Sequence, residues 1–398
     1  MSINEQPALK TILKAHKVRL FPTNAKIKKI EENFNCSRFV KNWFVNINKE
    51  RLDLGEYKLN YNVESSILTL LKVQNDWLKN ADKFALQNAL KDQDNAYGKL
   101  FKKQGKFPKF KSKKDSYQSY RTNLTNGNIE IKGKYIKLPK VGYVKFKQSQ
   151  EINGRILNVT VSRSNDKYYA SIAVETLIEP KPMSTRRVGI DLGLKSLLVL
   201  KDDLGNVQDI NNPKWLERSL KNLKRKHKQL SRKQHSRKKG DTTPKSKSYL
   251  KQQKTVSKIQ QKVANQRKDF LHKLTTSIIG DNQTIGIEDL AVSNLMKNHK
   301  LSRHIAQSGW SMLGTMLEYK AEWNNRNIKV HNRFYASSKL CRCGVKNKEL
   351  KLSDRIWICK SCGAINQRDE LAADNLIPTE HGKFTLNERA MAGSYANA

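Results

Sequence analysis

Three acidic residues lie in segments whose neighbours predict buried structure. Asp191 lies within the apolar residues 187–200, which predict two strands joined by a tight turn, and Glu288 lies within a second apolar segment, residues 284–290. Asp369 begins a short helical segment near the C-terminus. A carboxylate within buried structure costs free energy unless a cation offsets its charge. We therefore predict that the three carboxylates converge on divalent metal, the usual means of hydrolysing a phosphodiester by in-line displacement.

Each of these residues also has a purely structural interpretation. Asp191 could be a turn residue, and Glu288 with Asp289 could cap the following helix. The charge of the chain favours the metal interpretation, because 77 Lys and Arg against 36 Asp and Glu give a net charge of +41 over 398 residues. Such an excess opposes compaction unless a polyanion binds, and nucleic acid is the obvious candidate. The sequence has no long apolar segment, secretory signal or lipidation motif, so no membrane partner is expected.

Four of the five cysteines lie close together near the C-terminus. Cys341 and Cys343 form one pair, and Cys359 and Cys362 form a second. Paired cysteines at this separation predict one structural Zn²⁺ in a ribbon, in a reducing compartment. The alternative is an incomplete or strained site, because only Arg342 separates the first pair.

The hydrophobic pattern divides the chain into segments of different structure. Residues 14–21 predict an edge strand that proline ends, residues 24–104 are helical, and residues 128–179 alternate with period two, as in an antiparallel sheet. Residues 215–274 predict a basic helical hairpin with a break at 240–244. The order of strands and helices from residue 184 onward is that of an RNase H-like nuclease core, an α/β fold around a mixed sheet.

Several short motifs together resemble the TnpB family, the RNA-guided nucleases of bacterial and archaeal insertion sequences, which are related to type V CRISPR effectors. The matching segments are Lys17–Pro22, Asn35–Trp43, Phe107–Lys111, Leu138–Gly142, Gly189–Gly193, Ile287–Leu290, Leu317–Ala321, Ser337–Lys339 and Arg368–Asp369. Two positions depart from the family pattern: the first cysteine pair has a one-residue spacer, and Leu371 stands where the family usually has asparagine. If an amide at position 371 orients the Asp369 helix, Leu371→Asn should raise activity.

The resemblance implies an α/β multidomain protein with a RuvC-like core. The implied domains are a β-barrel wedge-like domain (1–23 and 105–183), a helical recognition domain (24–104), a RuvC-like nuclease domain (184–336 and 364–380), a zinc-ribbon insertion (337–363) and a disordered tail (381–398). The implied catalytic residues Asp191, Glu288 and Asp369 would bind two Mg²⁺ or Mn²⁺ ions, and Cys341, Cys343, Cys359 and Cys362 would bind one Zn²⁺.

The resemblance also implies partners and a location. A guide RNA derived from the transposon would pair with double-stranded target DNA beside a short flanking motif, and Tyr120, Thr122 and Asn123 would contact that motif. The location would be the cytoplasm of a bacterium or archaeon, in association with the nucleoid. The alternative is an RNA-guided DNA-binding protein or a basic transposon accessory factor that does not cleave. The sequence leaves the oligomeric state open.

Overall fold

The computed structural model describes residues 9–233, 245–351 and 353–379. The described residues divide into two compact units, one formed by Thr11–Leu177 and the other by residues 9–10 with the described residues from Ile178 onward. None of the helices in the described ranges combines the length and the apolar character needed to span a membrane. The predicted tail at 381–398 and the predicted break at 240–244 lie outside the described residues.

The unit Thr11–Leu177 combines a seven-stranded sheet with a helical segment that follows its first strand. Its elements are β1 (Lys10–Phe21), α1 (Asn24–Asp53), α2 (Tyr61–Gln74), a 3-10 helix (Asp76–Asn80), α3 (Lys83–Phe101), β2 (Tyr117–Asn123), β3 (Glu130–Lys132), β4 (Tyr135–Leu138), β5 (Gly142–Phe146), β6 (Arg155–Ser164) and β7 (Lys167–Ile178). The strand order is β2-β6-β7-β1-β5-β4-β3. All three helices therefore lie in the connection between two strands of the same sheet.

Strand β1 lies inside this sheet, between β7 and β5, so the prediction of an edge strand is wrong. Pro22 follows the last residue of the strand and removes no hydrogen bond from the ladders, so its presence says nothing about the edge. No ladder joins β2 to β3 in the part of the chain that the structure describes. Closure of the sheet into a barrel therefore stays a prediction.

Residue type and capping explain these elements. Side chains of alternating polarity in β6 and β7 bury one face, which packs against Ile30 and Phe34 of α1. Helices α2 and α3 begin at polar caps, because Asn60 accepts a hydrogen bond from the Val63 amide and Asp82 accepts one from the Ala85 amide. The segment 24–104, predicted to be helical, thus consists of separate helices, and Asp82 caps the last of them.

The second unit contains a five-stranded mixed sheet, a long helical hairpin and a small two-stranded ribbon. Its elements are β8 (Arg187–Leu192), β9 (Leu198–Asp202), β10 (Val207–Ile210), α4 (Lys214–Arg232), α5 (Lys247–Asp281), β11 (Thr284–Glu288), α6 (Val292–Leu295), α7 (Ser302–Ser308), α8 (Trp310–Trp323), β12 (Asn327–His331), a 3-10 helix (Ser337–Lys339), β13 (Ile356–Ile358), β14 (Ile365–Gln367) and α9 (Arg368–Asn375). The sheet order is β10-β9-β8-β11-β12. Strands β8, β11 and β12 run parallel, whereas β8, β9 and β10 are antiparallel neighbours.

The two faces of this sheet have different compositions. Successive side chains in a strand point to opposite faces, so Val188 and Ile190 lie on one face of β8 and Gly189 and Asp191 on the other. The apolar face packs against α5, α7 and α8 in one hydrophobic core, together with Ile285 and Ile287 of β11. The opposite face presents glycine and then an acid in both β8 and β11.

Candidate metal centres

Helix α9 lies directly on the glycine face of the sheet. A Cβ added to Gly189 would lie 1.9 Å from the carbonyl oxygen of Ala373, and one added to Gly286 would lie 1.7 Å from that of Leu376. Side chains at these two positions would therefore displace α9 from the sheet. Asp191 and Glu288 each follow one of these glycines by two residues, so both lie on the face that α9 covers.

The strand register brings the two acids to the same edge of the sheet. Ile190 of β8 pairs with Ile287 of β11 in a parallel ladder, so Asp191 and Glu288 follow adjacent positions at the carboxyl ends of neighbouring strands. Asp369 lies in the first turn of α9, one helical turn before the residue that contacts Gly189. The structure thus brings the three predicted carboxylates together.

The surroundings of Asp191 perturb its ionisation strongly. Burial raises the pKa of its carboxyl from 3.8 to about 7, the charges of Glu288 and Asp369 raise it as well, and Arg368 and Arg355 act in the opposite direction. A largely desolvated carboxyl beside two other acids is the environment that a bound cation stabilises.

The other two carboxylates are held by side chains from distant parts of the sequence. Ser337 Oγ donates a hydrogen bond to Glu288 Oε1. Arg355 Nη1 donates to both oxygens of Asp369, at 3.0 and 2.9 Å. Sequence reasoning missed Arg355, and it quoted Ser337 only as part of a family motif without giving it a role.

The donor set fits a hard divalent cation, because carboxylate oxygens are the ligands that Mg²⁺ and Mn²⁺ prefer. The three acids are less tightly gathered than the cysteines, however. Among the described residues, the group whose potential ligand atoms all lie within 4.8 Å of one another is the cysteine set. Mutual repulsion of the carboxylates and the separate partners of Glu288 and Asp369 account for the difference.

The four predicted cysteines form this second centre. Cys341 Sγ lies 3.6 Å from Cys362 Sγ, and Cys343 Sγ lies 3.6 Å from Cys359 Sγ. Tetrahedral zinc with Zn–S bonds of about 2.3 Å places its sulfur ligands roughly 3.8 Å apart. The sulfur positions therefore have the spacing of a Cys₄ zinc site, even though one residue separates the first pair.

Backbone amides around the sulfurs favour thiolates. Hydrogen bonds from the amides of Cys362 and Ser361 lower the pKa of Cys359 to about 6. In the first pair the Val345 amide donates to Cys343, but hydrogen bonds with the other sulfurs and burial outweigh it and raise the pKa of that thiol to about 12. Asn366 Nδ2 lies 3.8 Å from Cys341 Sγ and donates to it. Hydrogen bonds of this kind to metal ligands fix the orientation of those ligands.

Leu371 joins the two centres through apolar contact. It is 5% exposed and packs in a small core with Cys341, Leu350, Trp357 and Cys359. An asparagine at this position would place an amide among these apolar groups, where it would have to find new partners. Because the leucine forms part of the ribbon core, Leu371→Asn should lower stability, and its effect on activity stays a prediction.

The residues predicted to contact a flanking motif have different environments. Tyr120 and Thr122 are 3% and 0% exposed on the inner face of β2, and neither hydroxyl has a hydrogen-bond partner among the described residues. Tyr120 packs edge-to-face on Phe34, with ring centroids 5.7 Å apart. Asn123 is partly buried and accepts a hydrogen bond from Asn88 at 3.2 Å. Direct base contact by Tyr120 or Thr122 would require the sheet core to open, so this contact stays a prediction.

Comparison with known proteins places the chain in a family. Residues 159–299 match the family model OrfB_IS605, described as "Probable transposase"; residues 310–376 match the Cas12f1-like TNB domain; and residues 12–56 match the "Helix-turn-helix domain" of OrfB_IS605. A Streptomyces pristinaespiralis protein named "Putative RNA-guided DNA endonuclease" is 33% identical over 93% of this chain and 90% of its own length. The chain belongs to the TnpB family.

Further relatives of the TnpB family agree with this membership. The Escherichia coli K12 protein "Putative RNA-guided DNA endonuclease InsQ" is 30% identical over 96% of both chains. Among solved structures, the "Cas12f1-sgRNA-target DNA complex" contains a chain that matches 92% of this one and 98% of its own length, with a TM-score of 0.54 and 14% identity. That likeness shows a shared fold of mixed α/β content. The region matched as a helix-turn-helix domain forms β1 and the single long helix α1 in this structure.

Proposed function

We propose that the protein is an RNA-guided DNA endonuclease with a RuvC-like core. The observation that carries the proposal is the convergence of Asp191, Glu288 and Asp369 at the edge of the sheet under α9. The sheet order, with β9 running opposite to β8, β10, β11 and β12, supports an RNase H-like core. The names of full-length relatives support RNA guidance and DNA as the target.

In this proposal the three carboxylates are the catalytic residues and the ligands of two Mg²⁺ or Mn²⁺ ions. The chemistry that such ions supply is activation of water and stabilisation of the leaving oxygen. Asp191 and Glu288 provide oxygen ligands from rigid strand ends, and Asp369 provides one from the helix that crosses them. Arg355 lies against Asp369 and contributes positive charge where an anionic phosphate would approach. The four cysteines would hold one structural Zn²⁺ that fixes the ribbon carrying Arg355.

The strongly basic surface provides the contacts with guide RNA and target DNA. Helix α4 has Glu217 as its one acidic residue and buries only Leu216, so its lysines and arginines remain available to phosphates. In the other unit, a cavity of about 430 Å³ near the start of α3 has several lysines in its lining: Lys72, Lys79, Lys83 and Lys140. In this proposal the wedge-like and recognition domains predicted from sequence also contact guide RNA and target DNA. Asn123, in the wedge-like domain, is one of the contacting residues.

The test is cleavage of a plasmid that carries a guide-matched target, after sequencing of the RNA that copurifies with the full chain. We expect linear or nicked product with Mg²⁺, no product with EDTA, and none from a plasmid with a mismatched target. The competing function is an RNA-guided binder or a basic accessory factor. DNA that is retarded in a gel but uncut with either Mg²⁺ or Mn²⁺ would select the binder.

A further inference from the structure

The Glu288 carboxylate is held by a residue 49 positions away. Ser337 begins the 3-10 helix Ser337–Lys339, is 4% exposed, and donates its hydroxyl hydrogen bond to Glu288 Oε1. A glutamate at a strand end has several rotatable bonds and can point in many directions unless a second group restrains it. The Ser337 hydroxyl supplies that restraint, so it selects the direction in which the Glu288 carboxylate points.

Ser337 is in turn held by helix α9. Asn375 Nδ2 donates to the carbonyl oxygens of Ser337 and Leu340, at 2.7 Å in both cases. These two carbonyls flank the 3-10 helix, so the Asn375 side chain clamps it from both ends. The neighbouring segment reinforces the clamp, because Tyr335 Oη donates to the Asn375 carbonyl at 3.2 Å and His331 Nε2 donates to the Leu376 carbonyl at 3.1 Å.

The same helix carries Asp369 in its first turn. Asn375 and Asp369 lie within one short α-helix whose backbone is packed on Gly189 and Gly286, so their separation is fixed. A continuous path of contacts therefore runs from Glu288 through Ser337 and Asn375 to Asp369. Neither Ser337 nor Asn375 belongs to the set of carboxylate ligands.

We propose that Ser337 and Asn375 are positioning residues that fix the Glu288 carboxylate relative to Asp369 and thereby set the affinity of the site for divalent metal. The inference rests on the proposed function, since it assumes that these carboxylates bind metal. Removing a group that orients a metal ligand typically costs roughly 10- to 100-fold in metal affinity or activity. The expected signature is a changed dependence on metal concentration, with guide and target binding unchanged.

The experiment compares Ser337→Ala with the matched control Ser308→Ala in the complex with copurified RNA. Ser308 is also a buried serine, 7% exposed, and its hydroxyl donates to the His304 carbonyl at 3.0 Å within α7. Both variants lose one buried serine hydroxyl, but only Ser337 contacts a carboxylate. Asn375→Ala is measured in parallel as the variant that releases the clamp.

Two readouts are taken for each complex. The first is the Mg²⁺ concentration for half-maximal plasmid cleavage, and the second is Mn²⁺ binding by calorimetry, with the signal of the Asp191→Ala complex subtracted. For Ser337→Ala we expect a roughly 10- to 100-fold higher Mg²⁺ requirement and weaker Mn²⁺ binding, a smaller shift in the same direction for Asn375→Ala, and no shift for Ser308→Ala.

The results distinguish the positioning role of Ser337 from the proposed nuclease activity. If Ser337→Ala and Ser308→Ala have the same metal dependence while the parent binds Mn²⁺ through Asp191, the positioning role is wrong and the proposed nuclease stands. If the parent shows no Asp191-dependent Mn²⁺ binding and no cleavage, both the positioning role and the proposed nuclease fail.

Discussion

The cysteine centre and the carboxylate centre both contact helix α9, but they handle the charge of their ligands in different ways. The cysteine sulfurs are already at the spacing of a tetrahedral site, with 3.6 Å between the members of each cross-pair, and backbone amides stabilise the thiolate of Cys359. The carboxylates lie on different elements. Arg355 donates hydrogen bonds to Asp369, and Ser337 donates one to Glu288. The cysteine ligands already have metal-site spacing, whereas two of the carboxylates are held in place by hydrogen bonds from other side chains.

This difference is the one expected between a structural and a catalytic metal site. A structural zinc site is closed by four protein ligands and contributes to folding, whereas a catalytic site needs open positions for water and substrate. Placing three partly buried acids together without metal is costly, and the pKa of about 7 for Asp191, raised by its own desolvation and by the charges of Glu288 and Asp369, reflects that cost. In the proposed function, one helix, α9, carries both Asp369 of the catalytic site and Leu371 of the ribbon core.

The largest expected effect comes from removing the acid at the centre of the carboxylate site. Asp191→Ala should lower plasmid cleavage by about 10³-fold or more, because the metals lose a ligand from a rigid strand end. Guide and target binding should change little, since most phosphate contacts lie elsewhere. Cleavage assays and gel shifts test this, with Asp281→Asn, at the exposed last residue of α5, as the control. Cleavage by Asp191→Ala at a rate close to the parent's would rule out the carboxylate centre.

The second test breaks the cysteine centre. Cys359→Ser should reduce zinc content below about one ion per chain and lower the unfolding temperature by roughly 5–10 °C, because a structural metal contributes folding free energy. Cleavage should fall as well, since Arg355 and Asp369 depend on the ribbon for their positions. Metal analysis, thermal unfolding and plasmid cleavage measure the three effects. A Cys359→Ser protein with full activity and unchanged unfolding temperature would show that the two centres are independent.

The third test addresses the contact that links the centres. Leu371→Asn should lower the free energy of unfolding by about 2–4 kcal/mol, because it removes apolar contact and buries an amide beside Cys341 and Trp357. Leu371→Met, which conserves volume, should cost much less. Denaturant unfolding of both variants measures the difference. An increase in activity for Leu371→Asn would restore the family-based expectation that an amide serves better here.

The smallest expected effect on stability comes from a buried acid that lies outside both metal centres. Glu64 is 1% exposed, its Oε1 accepts a hydrogen bond from Asn48 at 2.6 Å, and burial raises its pKa from 4.5 to about 7. Its pKa is thus as high as that of Asp191, but it lies outside both metal centres. A raised carboxyl pKa therefore does not by itself identify a metal ligand.

The sign of the pH dependence follows from this shift. The Glu64 carboxyl ionises near pH 4.5 in the unfolded chain and near pH 7 in the folded protein. The free energy by which ionised Glu64 destabilises the fold therefore grows as the pH rises between these values and is constant above them. Glu64→Gln should therefore stabilise the protein by about 2–3 kcal/mol at pH 8 and by much less at pH 5. Thermal unfolding at the two pH values tests it. An equal effect at both values would mean that the carboxyl is ionised in the folded protein at pH 5.

Several features were determined by the sequence itself. The alternation of apolar residues with glycine and an acid in β8 and β11 indicated two buried strands with one unusual face, because side chains alternate strictly between the faces of a sheet. The cysteine spacing indicated a Cys₄ centre, and the net charge of +41 indicated a polyanionic partner. These signals are local in the chain or are properties of its composition, so they can be read without knowing the fold.

Only the tertiary structure decided which residues meet. Ser337 reaches Glu288 across 49 positions, and Asn375 reaches Ser337 across 38, and no local pattern marks such pairs. The family resemblance pointed to Tyr120 and Thr122 as contacts of a flanking motif, but their side of β2 faces the core. In the sequence Leu371 is only a departure from a family motif. The structure shows that it packs in the ribbon core. Residue type and spacing determine which face of an element is buried, whereas the partner on that face is set by chain topology.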